Sequence, residues 1–175
     1  MTARAIDPVL SYQFGVEVTA LPGLPIPFLI PIKGYFSEVS GIGVEYETME
    51  FKTVDFLGFP RINAVPGRPI YSPITLRRGI TGDEGFWLWH QLLVFGLKPL
   101  LSASVAVTMY DRSYQPMVQW NIERAWPSKI SGPDIRSDSS DIGIEELTLV
   151  HSGVSRSYMA PELAVLDGLI QAFVP

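Results

Sequence analysis

The sequence predicts a mainly β domain: a small antiparallel β-barrel or sandwich with one flanking α-helix, a long hairpin arm and a C-terminal helical extension. Several short segments alternate apolar and polar residues, which is the pattern of half-buried strands. Fifteen glycines and fifteen prolines separate these segments along the 175 residues. Within the barrel region, only residues 82–95 have the apolar content and flanking signals of a helix. Closing six to eight such strands into a barrel removes exposed sheet edges.

The first strand is predicted within residues 10–19, where Phe14 and Val16 fall on one face. The next segment, residues 21–31, contains four prolines and is almost entirely apolar. Proline cannot donate to a strand ladder, so we expect a loop here. This loop either folds back on its own core or contacts another subunit, with Phe28 as the candidate contact residue.

Residues 44–76 are predicted to form one long hairpin arm, preceded by a bend at residues 41–43 and reversed by the glycines and prolines of residues 55–69. A two-stranded ribbon of this length is only marginally stable alone in water, so it needs a neighbour to pack against. Its three glutamates are either a solvated face or partners for basic residues of that neighbour. The candidate contact residues of the arm are Glu45, Tyr46, Glu47, Phe56 and Phe59.

The helix is predicted to begin with a capping box formed by Thr81 and Glu84, each of which would satisfy a free backbone N–H group. Gly96 is expected just after the helix, where a positive φ is common. The helix is apolar on nearly every side, which is typical of a helix buried on more than one face. We expect a second subunit to cover the outer face, with Trp87 and Leu88 as contact residues.

A hairpin is predicted within residues 103–124, ending at a corner with a buried Trp126, and a last strand is expected at residues 141–151. The barrel domain is therefore assigned to residues 1–152. The remaining residues, 153–175, form an extension whose apolar stripe suits a short amphipathic helix. This extension either packs on its own barrel or marks a subunit that has a specialised place in an assembly. Its candidate contact residues are Leu166 and Phe173.

The sequence contains no recognisable catalytic, metal-binding or cofactor-binding motif, so we predict no enzyme and no cofactor. There is no cysteine, and the two histidines, His90 and His151, lack metal-ligand spacing. Arg77 and Arg78 could bind an anion, but strand alternation places them on opposite faces, which favours pairing with carboxylates. The net charge of −5 argues against nucleic acid as the main ligand. No signal peptide or membrane-spanning segment is expected.

Charged residues make up only 18% of the chain, below the usual quarter. A surface with so little charge suggests that other chains cover part of it. The four tryptophans are interpreted as core and interface anchors rather than as a platform for bases or sugars.

Five phrases follow one another in an order that resembles a known family. They are Phe-Ser-Glu-Val-Ser-Gly-Ile at 36–42, Val-Pro-Gly-Arg at 65–68, Ile-Thr-Leu-Arg-Arg-Gly-Ile-Thr at 74–81, Ala-Trp-Pro-Ser-Lys-Ile-Ser-Gly-Pro at 125–133 and Ile-Glu-Glu-Leu-Thr-Leu-Val-His at 144–151. Over residues 10–152 the chain resembles the T4-type phage tail-tube proteins and the inner-tube proteins of contractile injection systems.

This resemblance implies a barrel that forms hexameric rings, stacked into a hollow tube inside a sheath. It implies that the arm contacts the adjacent ring, that sheath, baseplate or cap proteins are partners, and that cargo or DNA passes through the lumen. Assembly in the cytoplasm into a virion tail or phage-tail-like particle is expected.

Three alternatives remain open from the sequence. The chain could be the tube initiator or a terminal ring of the same kind of particle, or a tube protein of a type VI secretion system. From a different class, it could be a small-molecule-binding or hydrolytic β-barrel, which would need a concave pocket with converging polar groups.

Overall fold

The computed structural model describes residues 11–20, 32–34, 36–96, 102–138 and 140–159. Within them lie ten strands and one helix. The strands are β1 Phe14–Ala20, β2 Ile32–Gly34, β3 Phe36–Ser40, β4 Val44–Val54, β5 Pro60–Tyr71, β6 Ile74–Gly79, β7 Ala103–Tyr110, β8 Pro116–Ser131, β9 Ile144–Val150 and β10 Gly153–Tyr158. The helix, α1, spans Gly85–Val94. The predicted mainly β fold with one flanking helix is confirmed.

Eight strands form one antiparallel sheet. The pairing order is β2-β1-β7-β8-β9-β6-β3, and β10 pairs with β8 beside this path. The first part of β8 pairs with β7 and β10, whereas its last part pairs with β9. Strands β2 and β3 lie at opposite ends of the order, yet a single residue separates them in the chain. The chain itself therefore links the two ends of the sheet, as in the wall of a barrel.

The core of the described part of the chain lies on one face of this sheet. Every second residue of β6, β7 and β9 is buried near its centre, which is the period-two alternation of a strand with one buried face. Phe86 and Trp89 of α1 are fully buried against these strands. The buried apolar set also contains Val16, Val18, Ile74, Leu76, Ala103, Val105, Val107, Ile122, Ala125, Leu147 and Leu149. Side chains occupy the interior that a ligand-binding barrel would leave open.

Strand β8 continues through the Trp126-Pro127 pair to Ser131 instead of ending there. Its pairing with β9 changes register between Pro127 and Lys129, and proline is tolerated where a ladder is interrupted. Trp126 is 43% exposed, while its neighbour Ala125 is buried. The prediction of a buried Trp126 is wrong, because alternation along the continuing strand turns this side chain outward.

Two boundaries differ from the sequence-based assignment. The arm consists of β4 and β5 only, because Ile74–Gly79 leaves it to pair with β3 and β9 in the barrel wall. The segment Gly153–Tyr158, assigned above to the C-terminal extension, is a barrel strand that pairs with β8. Its largely polar sequence carries little strand signal, and pairing with β8 stabilises it. The predicted extension helix lies outside the described residues.

The helix begins at Gly85, later than predicted, and the expected capping box does not form. Glu84 occupies the N-cap position without a side-chain hydrogen bond to the backbone. Instead, the Asp83 carboxylate accepts a hydrogen bond from the Gly85 N–H at 2.8 Å, and the Thr81 hydroxyl accepts one from the Asp83 N–H. Gly96 has a φ of +82° after the last turn, as predicted.

The bend before the arm depends on Gly41. Its φ is +85°, and an added Cβ atom would lie 2.1 Å from the carbonyl oxygen of Pro73. Only glycine combines this backbone conformation with such a close approach. The chain running into the arm and the chain leaving it are therefore in direct contact at the arm root.

Arg78 of β6 is a buried charge that joins the sheet to the helix. Its Nε atom donates to Glu145 of β9 at 2.5 Å, and its Nη1 atom donates to the Asp83 carboxylate at 2.6 Å. Its Nη2 atom donates to the Asp83 carbonyl oxygen, and its Cζ atom lies 4.0 Å from the Phe86 ring centre. One guanidinium thus orients β9, the loop before α1 and α1 itself.

The neighbouring Arg77 points to the opposite face, as strand alternation predicts. It is half exposed and pairs with Glu38 of β3 at 3.1 Å and with Glu146 of β9 at 3.6 Å. The interpretation of the two arginines as partners of carboxylates is therefore confirmed.

The pKa of Asp83 reflects two opposing effects. Partial burial raises the pKa, but the hydrogen bond from Arg78, the N–H of Gly85 and the Arg78 charge together lower it below its usual value. The ionised carboxylate is therefore the form that this fold favours.

Replacement of Gly41 by alanine should destabilise the protein by about 2–4 kcal/mol, because it adds a steric clash to an unfavourable φ. Gly58 is the matched control, since its φ is +87° but an added Cβ atom would meet nothing within 4 Å. G58A should cost only about 1–2 kcal/mol. Equal losses in urea denaturation would show that the Gly41–Pro73 contact has no role.

Arg78→Met should lower the free energy of unfolding by about 3–5 kcal/mol, because it leaves the buried Glu145 carboxylate without its partner. The double variant R78M/E145L should be more stable than R78M, since it removes the unpaired charge as well. Chemical denaturation of wild type, R78M and R78M/E145L measures their free energies of unfolding. A double variant no better than R78M would contradict it.

Asp83→Asn should change how the stability of the protein depends on pH. A carboxyl group whose pKa is lowered by folding stabilises the fold above its unfolded pKa, and this contribution disappears as the pH falls through the folded value. The difference in Tm between wild type and D83N should therefore be largest near neutral pH and shrink below about pH 4. Glu84→Gln is the control and should follow wild type throughout.

Candidate assembly surfaces

The arm is a two-stranded ribbon that exposes apolar side chains on both faces. Strands β4 and β5 pair with each other and with no other described strand. Cross-strand pairing places Tyr46 and Ile62 on one face, and Met49 and Phe51 on the other. All four side chains are exposed. A ribbon with water on two apolar faces requires cover from outside the described chain.

The arm tip is a well-ordered turn built by Asp55. Its Oδ1 atom accepts hydrogen bonds from the N–H groups of Leu57 and Phe59, at 3.0 and 2.9 Å, and its Oδ2 atom pairs with Arg61 at 3.3 Å. The hydrogen bond from Phe59 is the largest cause of a lowered pKa for Asp55. This network turns Phe56 outward, where it is 95% exposed. The tip therefore presents apolar side chains from a defined backbone.

The three glutamates of the arm differ in exposure and in pairing. Glu47 is half-buried and pairs with Arg68 of β5 at 3.3 Å. Glu45 and Glu50 are exposed. The acidic run is thus partly paired within the arm itself, and the remaining charge faces outward.

His151 holds the arm root in place. Its Nε2 atom lies 3.1 Å from the carbonyl oxygen of Ser72, and its Nδ1 atom lies 3.1 Å from that of Gly153. Its ring also packs against Tyr71, with ring centres 5.4 Å apart. The residue predicted as an ordinary strand-end histidine thus connects β5, β9 and β10 and limits motion at the base of the arm.

The helix has a second apolar face, as predicted. Phe86 and Trp89 point into the core, whereas Trp87 is 45% exposed and Leu88 is half-buried. Phe95, just after the helix, is also exposed. This outer face remains uncovered by the described part of the chain.

The third surface is an open cleft of about 870 Å³ beside the loop between β8 and β9. Ile135 and Ile142 of this loop are 91% and 80% exposed. The cleft wall also contains Arg77 and Glu146, the ion pair that joins β6 to β9. The sequence analysis missed this surface, although two isoleucines within a polar loop were a detectable signal.

The candidate contact residues lie on the arm, on the helix or outside the described residues. Tyr46, Phe56 and Phe59 are exposed on the arm, and Trp87 is exposed on the helix. Phe28, Leu166 and Phe173 lie outside the described residues. The sequence analysis did not select other exposed apolar residues of the arm. They are Val44, Met49, Phe51, Val54, Leu57, Ile62, Val65 and Ile70.

None of these surfaces has the features of a metal site. The described residues contain no group of three or more His, Asp or Glu side chains that could hold a metal ion. No helix among them is long and apolar enough to cross a membrane. Their chemistry is that of apolar contact with scattered ion pairs, which suits association between proteins.

Solved structures with a similar fold include chains of an extracellular contractile injection system and of an anti-feeding prophage, and an Hcp protein. A chain of the extracellular contractile injection system PVC sheath–tube complex, in its extended state, is 24% identical with a TM-score of 0.71; the match covers 89% of this chain and 95% of that chain. A chain of the anti-feeding prophage tube-terminating cap is 20% identical with a TM-score of 0.70, covering 90% and 95%. An Hcp protein is 14% identical with a TM-score of 0.50, covering 85% and 92%.

Sequence comparison identifies the family. No curated protein matches the chain. The family model described as T4-like virus tail tube protein gp19 matches residues 10–155. This range contains the arm, the helix and every barrel strand from β1 to β9. The chain therefore belongs to the T4-like virus tail tube protein gp19 family and is a structural tube subunit.

Proposed function

We propose that this chain forms hexameric rings that stack into the inner tube of a contractile phage tail or a phage-tail-like injection particle. The observation that carries the proposal is the arm, whose two faces are both apolar and uncovered. A closed barrel has little surface that requires a partner, whereas this arm and the outer face of α1 do. Six copies around a ring and further copies above it would cover both.

Each surface has a distinct role in this proposal. The outer face of α1, with Trp87 and Leu88, packs against a neighbour within the ring. The arm, with Tyr46 near its root and Phe56 and Phe59 at its tip, reaches the next ring. Fully burying one large apolar side chain stabilises a contact by about 1.5–3 kcal/mol. Many such contacts along a stack would make the tube rigid.

The mechanism is mechanical and involves no chemical reaction in this subunit. Contraction of a sheath drives the rigid tube through a target envelope, and cargo or DNA passes along the lumen without sequence recognition. The PVC relative was solved within a sheath–tube complex, which supports a sheath as a partner. Baseplate or cap proteins would bind the two ends, and assembly would take place in the cytoplasm.

A specialised ring in the same kind of particle is the second candidate. Chains with this fold occur in structures of the anti-feeding prophage cap and of its baseplate, each with a TM-score of 0.70. A tube of a type VI secretion system is less well supported, because the Hcp protein superposes with a TM-score of only 0.50.

Replacement of both tip phenylalanines, F56S/F59S, should abolish tubes and leave the barrel folded. Both side chains are exposed in the single chain, so the Tm should change little. Tyr114→Ser is the matched control, since Tyr114 is an exposed aromatic residue in the turn between β7 and β8. Sedimentation and negative-stain electron microscopy measure assembly. Wild-type tubes in the double variant, or a wild type that remains monomeric at high concentration, would contradict the proposal.

A further inference from the structure

The arm and the open cleft lie at opposite ends of the same part of the sheet. The arm root adjoins Ile74, the first residue of β6, through the contact between Gly41 and Pro73. The cleft adjoins Gly79, the last residue of β6, which pairs with Ile144 of the cleft wall. The two ends of β6 therefore differ, because the arm projects beside one end and the cleft opens beside the other.

The arm extends away from its own barrel. Its strands contain 11 and 12 residues and, at about 3.3 Å per residue, span roughly 35–40 Å. Strand β6, which separates the arm root from the cleft, has six residues and spans about 20 Å. Because both faces of the arm are exposed, the arm does not pack back on the described part of this barrel.

The cleft lining combines exposed apolar side chains with an excess of acidic groups. Ile135 and Ile142 are the exposed apolar residues of the lining. Gly143 of the lining lies close to two further apolar side chains, because a Cβ atom added there would be 3.2 Å from Ile80 and 3.6 Å from Pro133. The lining also contains four carboxylates and two guanidinium groups, a formal charge of −2. These charged residues are Asp134, Asp138, Asp141, Glu146, Arg77 and Arg136.

The arm tip matches the cleft in chemistry. It presents three exposed apolar side chains, Phe56, Leu57 and Phe59, on a turn that Asp55 holds in one conformation. Residues 52–62 carry two basic groups and one acidic group, a formal charge of +1. Both surfaces thus expose apolar side chains and carry net charges of opposite sign, a combination that suits a specific protein interface.

We propose that the cleft between β8 and β9 is the receptor for the arm tip of the next copy in the stack. Phe56 and Phe59 of one copy pack against Ile135 and Ile142 of the other. The contact joins two different surfaces at opposite ends of β6, so its repetition from one copy to the next in a single direction generates an open stack. This inference rests on the proposed tube function and names the surface that receives the arm.

Cysteine crosslinking tests the contact directly, because the chain has no cysteine of its own. The double variant L57C/S140C places one thiol on the tip and one in the cleft lining, and it leaves Phe56, Phe59, Ile135 and Ile142 in place. Oxidation of assembled tubes should give a ladder of covalent oligomers on a denaturing gel, well beyond dimers. The control L57C/S113C carries its second thiol in the turn at the other end of β8 and should give no ladder.

The results separate the two proposals. Electron microscopy of each variant before oxidation reports whether tubes form. Tubes that give no ladder with L57C/S140C, or that give one with L57C/S113C, overturn the cleft assignment and leave the tube function intact. Dimers alone, from L57C as well as from the double variant, indicate contact between two tips and also overturn it. If wild type forms no tubes, the proposed function itself fails.

Discussion

The structure depends on the burial of one guanidinium group. Arg78 is enclosed between the sheet and the helix and donates to Glu145 and to two oxygens of Asp83. A buried charge is tolerated only when its partners are correctly placed, so the register of β6 on β9 and the start of α1 are specified together. The helix itself lacks a side-chain cap at Glu84. Its position, and with it the outer face that includes Trp87, follows from the Arg78 contacts.

The barrel covers the apolar faces of its strands within the single chain, whereas the arm does not. In the barrel, the chain between β2 and β3 links the two ends of the sheet, and the core lies on one face of the sheet. The arm has no such closure, and its two faces remain in water in a single chain. The Gly41 bend and the His151 contacts fix its base, while Asp55 fixes its tip. The apolar faces of the arm are therefore presented on a backbone that is hydrogen-bonded at its base and at its tip.

The sequence predicted those features that depend on local pattern. Alternation identified the buried faces of β6 and β9 and placed Arg77 and Arg78 on opposite sides, as the structure confirms. The capping box failed because Arg78 holds Asp83, which then takes over the contact with the helix start. Strand β8 changes its partner from β7 to β9 between Ala125 and Trp126, next to a positive φ at Arg124. No local signal showed that, since alternation identifies the buried face of a strand but not its partner.

The sequence by itself determined the mainly β class, the single helix of the barrel region, the projecting arm and the need for partner chains. These follow from periodicity, from glycine and proline positions, and from apolar residues where a two-stranded ribbon cannot bury them. Only the tertiary structure decided that the arm leaves one end of β6 and the cleft opens at the other. That polarity arises from the pairing of β6 with β9, a contact between segments about 70 residues apart. Pairing over such distances is set by packing of the whole chain, not by local pattern.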